Sequence, residues 1–445
     1  MAKGFDRKIV MVGGGSYGWS PRLLSDMMQT DAMDNSEVWL LDPNPKAARE
    51  IAAVGATFAK TLGRRYKIVP TANEAAAFRD ADFVLITIST GGLDMTAHDL
   101  AIPEKYGIFQ TVGDTVGPGG WCRGLRNVPV FAHLATQIEK HSPRAVVLNY
   151  SNPLALLTAT IHAVSNLRTV GLCHGVFGTY EVLQRLLGVE ERDIAARFGG
   201  LNHFFWITDF TVNGAPGFPL LEAKLAGRTL HEALRDQSPD PHGFTSGILL
   251  ASEFYRQYGC LTYMADRHIA EFMPGYLTGK ESNLKRFGLV RTAVESRRKR
   301  RDQARARALD MAAGKVPPFG KSRETAVDIM AAFTTGKPFC DVTNLPNTGQ
   351  VENLPLGVVV ETLGLVDALG FAPVCAGALP PVIQGLVAPH CQTQEMTLEA
   401  ALHGDRELAM ESLMLDPLCG HLPPSQIRQM GEELMAATKA WLPQF

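Results

Sequence analysis

Cys173 and His174 stand side by side at the end of the apolar run Thr169-Val170-Gly171-Leu172, and Asn202-His203 follows further along. Mixed sulfur and imidazole donors suit zinc, manganese or a similar divalent ion when substrate oxygens complete the shell. Cys173 and His174 could therefore form half a metal site, with His203 a third candidate ligand. Taken singly, each has a plainer reading as a buried thiol or a core histidine; their shared position at element ends is what points to a site. Upstream, Asn149-Tyr150-Ser151-Asn152-Pro153 puts polar groups at another strand end. Asn152 reads as a helix cap with proline at the first helical position, and a cap there can also aim its amide at a substrate. The stretch Gly113-Asp114-Thr115-Val116-Gly117-Pro118-Gly119-Gly120 reads as closely approached backbone, either a lid or a tightly packed loop. Asp114 is its candidate catalytic group.

A second kind of chemistry begins near the start of the chain. An apolar strand over residues 8–12 runs into Gly13-Gly14-Gly15-Ser16-Tyr17-Gly18. Glycines at this spacing turn the backbone sharply and leave its N–H groups, with the next helix's N-terminus, facing a pyrophosphate. Gly13, Gly15, Ser16, Tyr17 and Gly18 are the candidate cofactor residues. Asp42 ends the second strand and is the candidate ribose-binding acid, although it lies further from the glycines than the usual spacing. A hydroxyl-binding acid there favours NAD over NADP. Ser89, after the strand at 83–87, is the remaining cofactor candidate.

These residues need a frame that brings strand ends together. Strands over residues 8–12, 37–41, 83–87, 145–148 and 169–172 alternate with helices, among them 128–139 and 154–164. Continuous apolar strands in such alternation mean a doubly wound α/β parallel sheet of Rossmann type, with ligands at its carboxyl edge. The pattern changes after residue 195. Residues 204–212 read as strands of another sheet, 281–308 as a long basic helix, 344–354 as a loop, and 395–441 as amphipathic helices. The expected division is a Rossmann domain over 1–195 and an α+β domain over 196–445 for substrate, metal and oligomerisation. The run Arg297-Arg298-Lys299-Arg300-Arg301 reads as a solvated helix face from which an arginine reaches a carboxylate.

Bulk properties exclude several function classes. A net charge of −2 offers no nucleic-acid surface. No apolar run is long enough to span a bilayer. Seven scattered cysteines without a Cys-x-x-Cys pair fit reduced thiols in the cytoplasm.

The sequence resembles family 4 of the glycoside hydrolases, an NAD- and manganese-dependent group sharing its Rossmann domain with lactate and malate dehydrogenases. The likeness runs along essentially the whole chain. It is carried by Gly13-Gly14-Gly15-Ser16, Ile102-Pro103-Glu104-Lys105-Tyr106-Gly107, the 113–120 glycines, Asn152-Pro153, Cys173-His174, Asn202-His203, Asn344-Leu345-Pro346-Asn347-Thr348-Gly349, Ala401-Leu402-His403-Gly404-Asp405 and Leu415-Asp416-Pro417-Leu418. The family is an exception to two-carboxylate glycosidases. The resemblance implies oxidation of the sugar at C3 by NAD⁺, loss of the C2 proton, elimination of the aglycone, addition of water and return of the hydride. It implies Cys173 and His203 as ligands of Mn²⁺ or another divalent ion, Asn152 and Asn202 as sugar-binding residues, and His174 at the leaving-group position. The C2 base falls in Tyr255-Arg256-Gln257-Tyr258-Gly259-Cys260-Leu261-Thr262-Tyr263, where Tyr258 and Tyr263 are both candidates and Asp266 is a neighbour.

The form Cys173-His174-Gly175-Val176 looks like the α-galacturonidase subgroup. Members acting on 6-phosphosugars carry an arginine after the third crossover's Gly-Gly. Here the loop reads Thr90-Gly91-Gly92-Leu93-Asp94-Met95-Thr96-Ala97-His98, without one. A uronic acid would instead meet Arg286 or Arg297. The expected activity is hydrolysis of α-linked galacturonides in small oligosaccharides by a homodimer or homotetramer. Alternatives are an α-glucuronidase or α-galactosidase of the same family, or an NAD-dependent hydroxy-acid dehydrogenase.

Overall fold

A computed structural model describes residues 4–235 and 248–445. Its centre is a nine-stranded sheet. Six strands are parallel: β1 (Arg7–Val12), β2 (Ser36–Leu41), β3 (Tyr66–Thr71), β4 (Phe83–Ile86), β5 (Val146–Asn149) and β6 (Arg168–Gly171), in the order β3-β2-β1-β4-β5-β6. That is the doubly wound dinucleotide-binding order, whose switch point lies between β1 and β4. Phe83-Val84-Leu85-Ile86 is buried throughout. Helices therefore cover both faces, and two apolar clusters lie on either side of the sheet.

A second, smaller sheet holds β7 (Ile194–Leu201), β8 (Phe204–Val212), β9 (Ala215–Pro216) and β10 (Leu261–Thr262). β7 and β8 pair antiparallel with Leu201 opposite Phe204, so Asn202 and His203 are the whole hairpin turn. His203 has φ +67°, a left-handed conformation that costs a non-glycine residue.

The chain then returns to the first sheet. β11 (Phe339–Pro346), β12 (Val359–Asp367) and β13 (Gly370–Pro373) extend it antiparallel beyond β6. The second half of the chain thus builds one edge of the first half's sheet. Residues 344–346, expected in a loop, close β11: Asn344 pairs with Glu361 on β12 and with Gly171 on β6. Pro346 is tolerated because it ends the strand. The expected helix over 281–308 is two helices, Ser282–Arg286 and Val294–Ala312, parted by Gly288 at φ +63°. All seven cysteines are free. Among the described residues no helix is long and apolar enough to cross a membrane.

Candidate active site

The glycine turn follows β1 directly. Gly13 has φ +83°, and a Cβ there would come within 2.6 Å of the Thr87 carbonyl oxygen. Asp42, just beyond β2, holds the turn. Its Oδ2 accepts from Gly15 N–H at 2.9 Å and its Oδ1 from Asn44 N–H at 2.8 Å. A Cβ on Gly15 would strike that carboxylate, whereas one on Gly18 would meet nothing within 4 Å. Ser16 accepts from Trp19 N–H at 3.3 Å. Tyr17 is turned aside, its hydroxyl donating to Glu50 at 2.6 Å, and Glu50 pairs with Arg305. Ser89 is exposed in the turn after β4, where its carbonyl accepts from Gly92 N–H.

Four segments meet further along the same edge. Residues 111–115 form a tightly packed loop, tied down by Glu271, which accepts from Val112 N–H at 2.7 Å and Gly113 N–H at 2.9 Å. Of the two readings of the glycine-rich stretch, close packing holds. The helix Gly117–His141 already begins within it, and a Cβ on Gly120 would meet Thr115 backbone at 2.5 Å. Asp114 faces Asn152, whose Nδ2 lies 3.4 Å from Asp114 Oδ2. Asn152 is not a helix cap. The Asn152–Pro153 peptide is cis, and the helix Leu154–Val164 starts after Pro153. The Asn152 carbonyl instead accepts from Arg123 Nε at 2.9 Å.

The hairpin turn inserts His203 into this group. One imidazole nitrogen or carboxylate oxygen from each of Asp114, His203 and His268 lies within 4.8 Å of the others. The His203 and His268 rings are 4.3 Å apart, and Tyr263 stacks on His203 at 5.6 Å and on His268 at 5.4 Å. Burial lowers His203 to about 4 and takes His268 well below its ordinary value. Both are neutral at pH 7, with lone pairs free for a cation. Burial pushes Asp114 up, but His268, His203, Arg123 and the Thr115 hydroxyl outweigh it and leave it at about 2. With both imidazoles neutral, Arg123 and Thr115 are what hold the anion at pH 7.

Cys173 follows β6 and is half-buried. Its sulfur accepts from Gly175 N–H at 3.4 Å, and burial and then Glu361 raise its thiol well above the usual range. It lies outside the three-donor group. Behind it, Glu361 Oε2 accepts from Asn202 at 3.0 Å and Asn344 at 2.8 Å, and burial raises Glu361 to about 7. Asn202 thus uses its Nδ2 to hold the hairpin turn, while its Oδ1 is buried with no hydrogen-bond partner among the described residues. His174 is exposed, with Nδ1 3.7 Å from the Glu324 carboxylate.

The structure separates the two tyrosines. Tyr263 is in the group, with its ring 3.3 Å from where a Gly175 Cβ would sit. Tyr258 packs on Trp206 and Phe254 and makes no contact with the group. Asp266 is taken up by Leu250 and Ala251 N–H at 2.9 and 3.0 Å. The arginines separate too. Arg286 is exposed over the Phe287 ring, whereas Arg297 donates to the Val112 carbonyl at 2.7 Å. Sequence reasoning missed His268, Arg123 and Arg267. Arg267 and His268 sit in Asp266-Arg267-His268-Ile269-Ala270-Glu271, where a basic pair between two acids on a short helix was the available signal.

The residues over 8–189 match the model of the family 4 glycosyl hydrolases, and 198–419 match that of the family's C-terminal domain. The chain belongs to family 4 of the glycosyl hydrolases. An alpha-galacturonidase of Bacillus subtilis is 35% identical over 424 residues, 92% of this chain and 93% of that protein. Among solved structures, lplD of Bacillus subtilis superposes with a TM-score of 0.87 at 30% identity, covering 96% of this chain and 99% of that one. A 6-phospho-beta-glucosidase of Thermotoga maritima, solved with manganese, NAD⁺ and glucose-6-phosphate, has the same fold (TM-score 0.80, 20% identity, 98% and 99% covered).

Proposed function

We propose that this glycosidase is an NAD- and divalent-metal-dependent α-galacturonidase, acting in the cytoplasm on small oligosaccharides. The observation that carries the reading is the convergence of Asp114, His203, His268, Asn152 and Tyr263 on the sheet edge that also carries the glycine turn. The alpha-galacturonidase relative and the absence of arginine from residues 90–98 support the uronide over a 6-phosphosugar. A domain of 1–195 would carry the dinucleotide and 196–445 would bring His203, Tyr263 and His268 to the substrate and metal.

The residues fit both groups. Two neutral imidazoles beside an ionised carboxylate suit Mn²⁺, with Cys173 as a further donor once its proton is lost. The open space over Gly18 leaves the glycine turn accessible to a pyrophosphate. When bound, NAD⁺ supplies a hydride acceptor and the metal ion a Lewis acid for the sugar's oxygens.

The chain's own residues do the rest. Asn152 and Asp114 offer an amide and a carboxylate to adjacent sugar hydroxyls. Tyr263 is assigned the C2 proton. Burial, followed by Cys173, Glu361 and Asp114, raises its phenol, and Arg267 is the neighbour that favours the phenolate. His174, steadied by Glu324, is suited to deliver a proton to the departing oxygen.

The test is galacturonate release from an α-linked digalacturonide in D₂O, with NAD⁺, Mn²⁺ and a thiol reductant each present or omitted. Release that needs all three, with deuterium at C2 and no net NADH, is expected. Cleavage of α-glucuronides or α-galactosides alone would overturn the specificity, and NADH accumulation without bond cleavage would overturn the glycosidase mechanism.

A further inference from the structure

Three guanidinium groups gather at the 111–114 loop from three helices. Arg123 comes from Gly117–His141, Arg267 from Asp266–Phe272 and Arg297 from Val294–Ala312. Arg123 is only 9% exposed. Arg267 donates to the Thr111 carbonyl at 3.3 Å and Arg297 to the Val112 carbonyl at 2.7 Å, so both grip consecutive residues of one loop. Burial is the first cause that lowers Arg123 and Arg267 and repulsion from Arg297 lowers both further, while Asp114 works against this at both and Glu271 at Arg267.

Buried arginines normally come with carboxylates, because unpaired charge away from water is costly. The neighbouring Arg126 obeys this, fully paired with buried Asp99. Among the described residues Arg123, Arg267 and Arg297 form no ion pair at all. Besides Asp99, only two acids among the described residues stand against these three cations. Glu271 spends its oxygens on the Val112 and Gly113 N–H groups. Asp114 accepts from Thr115, faces the two histidines and balances the charge of Arg123. A further sign is Arg267 Nε, which is buried with no hydrogen-bond partner among the described residues. The charge inventory of this corner is short of one anion.

We propose that Arg123, Arg267 and Arg297 form a carboxylate-binding subsite that takes the C6 carboxylate of the uronic acid. The proposal rests on the uronide reading above and sharpens it. Guanidinium forks bind a carboxylate bidentately, and a bound carboxylate would neutralise the repulsion among them. The corner adjoins Asp114 and Asn152, which face the sugar hydroxyls, so carboxylate and hydroxyls of one ring are read by adjacent groups. A neutral galactoside would leave the buried Arg123 and the half-buried Arg267 and Arg297 one anion short, which is how such a site rejects it.

The test compares α-linked digalacturonide with its methyl ester, which has nearly the same shape but no charge. Wild type is expected to favour the free acid by about 100-fold in kcat/KM. In Arg267→Met and Arg297→Met the ratio of acid to ester is expected to collapse to within about fivefold, chiefly through KM. Arg267→Lys should recover only part of it, because an ammonium lacks the fork. Calorimetric binding of free galacturonate gives the same comparison without turnover, and melting curves identify any variant that fails to fold. Should Arg123→Met not fold, the Arg297 variant still decides. Arg267→Met also loses kcat on both substrates through Tyr263, so Arg297→Met decides: equal losses on acid and ester there, or an unchanged ratio, would overturn the subsite and leave the uronide reading standing. A wild type that cleaves galactosides but neither galacturonide would overturn the uronide reading, and this proposal with it.

Discussion

Thr115 Oγ1 lies 2.9 Å from His203 Nδ1 and 2.7 Å from Asp114 Oδ1, so one hydroxyl joins two of the three clustered donors. It has a single hydrogen, and the ionised carboxylate can only accept. The hydrogen therefore goes to Asp114, and His203 Nδ1–H donates to the hydroxyl oxygen. That assigns the tautomer and leaves Nε2 with its lone pair for a metal ion. Replacing Thr115 by valine keeps the shape and removes both contacts. We expect Mn²⁺ affinity, read by electron paramagnetic resonance titration, to fall by about 10- to 100-fold. Thr115→Ser should restore most of it, and an unchanged affinity would mean that the ring is held by other means.

His268 is expected to matter to the metal, because its imidazole nitrogen joins the donor atoms of Asp114 and His203 in one group. His268→Ala should weaken Mn²⁺ binding about tenfold or more in the same titration. NAD⁺ binding, measured by fluorescence quenching, should stay within about twofold, because the glycine turn is a separate structure.

The two tyrosines should part company. Tyr263→Phe removes a hydroxyl from the clustered group and should lower kcat about 100-fold or more, with little change in melting temperature. Tyr258→Phe should leave kcat within about twofold, since that ring only packs on Trp206 and Phe254. Equal effects would show that the C2 proton goes elsewhere.

Glycines of the fingerprint differ in what they are needed for. Gly13→Ala puts a Cβ at φ +83° and within 2.6 Å of Thr87 O, and should cost about 2 kcal/mol of stability or more. Gly18→Ala meets open space and should melt like wild type while binding NAD⁺ at least about tenfold more weakly. Retained NAD⁺ affinity in Gly18→Ala would remove Gly18 from the pyrophosphate site.

Glu361 gives a pH signature. Burial raises it from 4.5 to about 7 in the folded protein. The folded chain therefore holds this proton more tightly than the unfolded chain, and stability is lost as pH rises from about 4.5 through 7. Glu361→Gln can keep its carbonyl on Asn202 and Asn344 while removing the titration. Its stability relative to wild type should be near zero at pH 4.5 and grow to up to about 3 kcal/mol above pH 7. A difference that does not vary with pH, in denaturant melts of the metal-free protein, would contradict this account.

Much of the frame was legible because local rules governed it. The buried runs of β1, β4, β5 and β6 have one stable place, inside a doubly covered parallel sheet, and the glycine turn needs only its own residues and the strand before it. Strand ends also located Asp42, Asn152 and Cys173 on one edge. Helix and strand bounds failed where distant partners overrode propensity: Asn344 joins a strand because Glu361 and Gly171 flank it.

The chemistry of the site was decided by tertiary contacts. Which tyrosine belongs, that His268 joins His203 and Asp114, and that Arg297 rather than Arg286 reaches the 111–114 loop all depend on how separate helices pack. Spacing along a chain carries no information about such distances. The sequence determined five of the parallel strands, the dinucleotide turn and the family. The fold alone decided which charged side chains share one buried corner, because only packing removes the water that would otherwise screen them from each other.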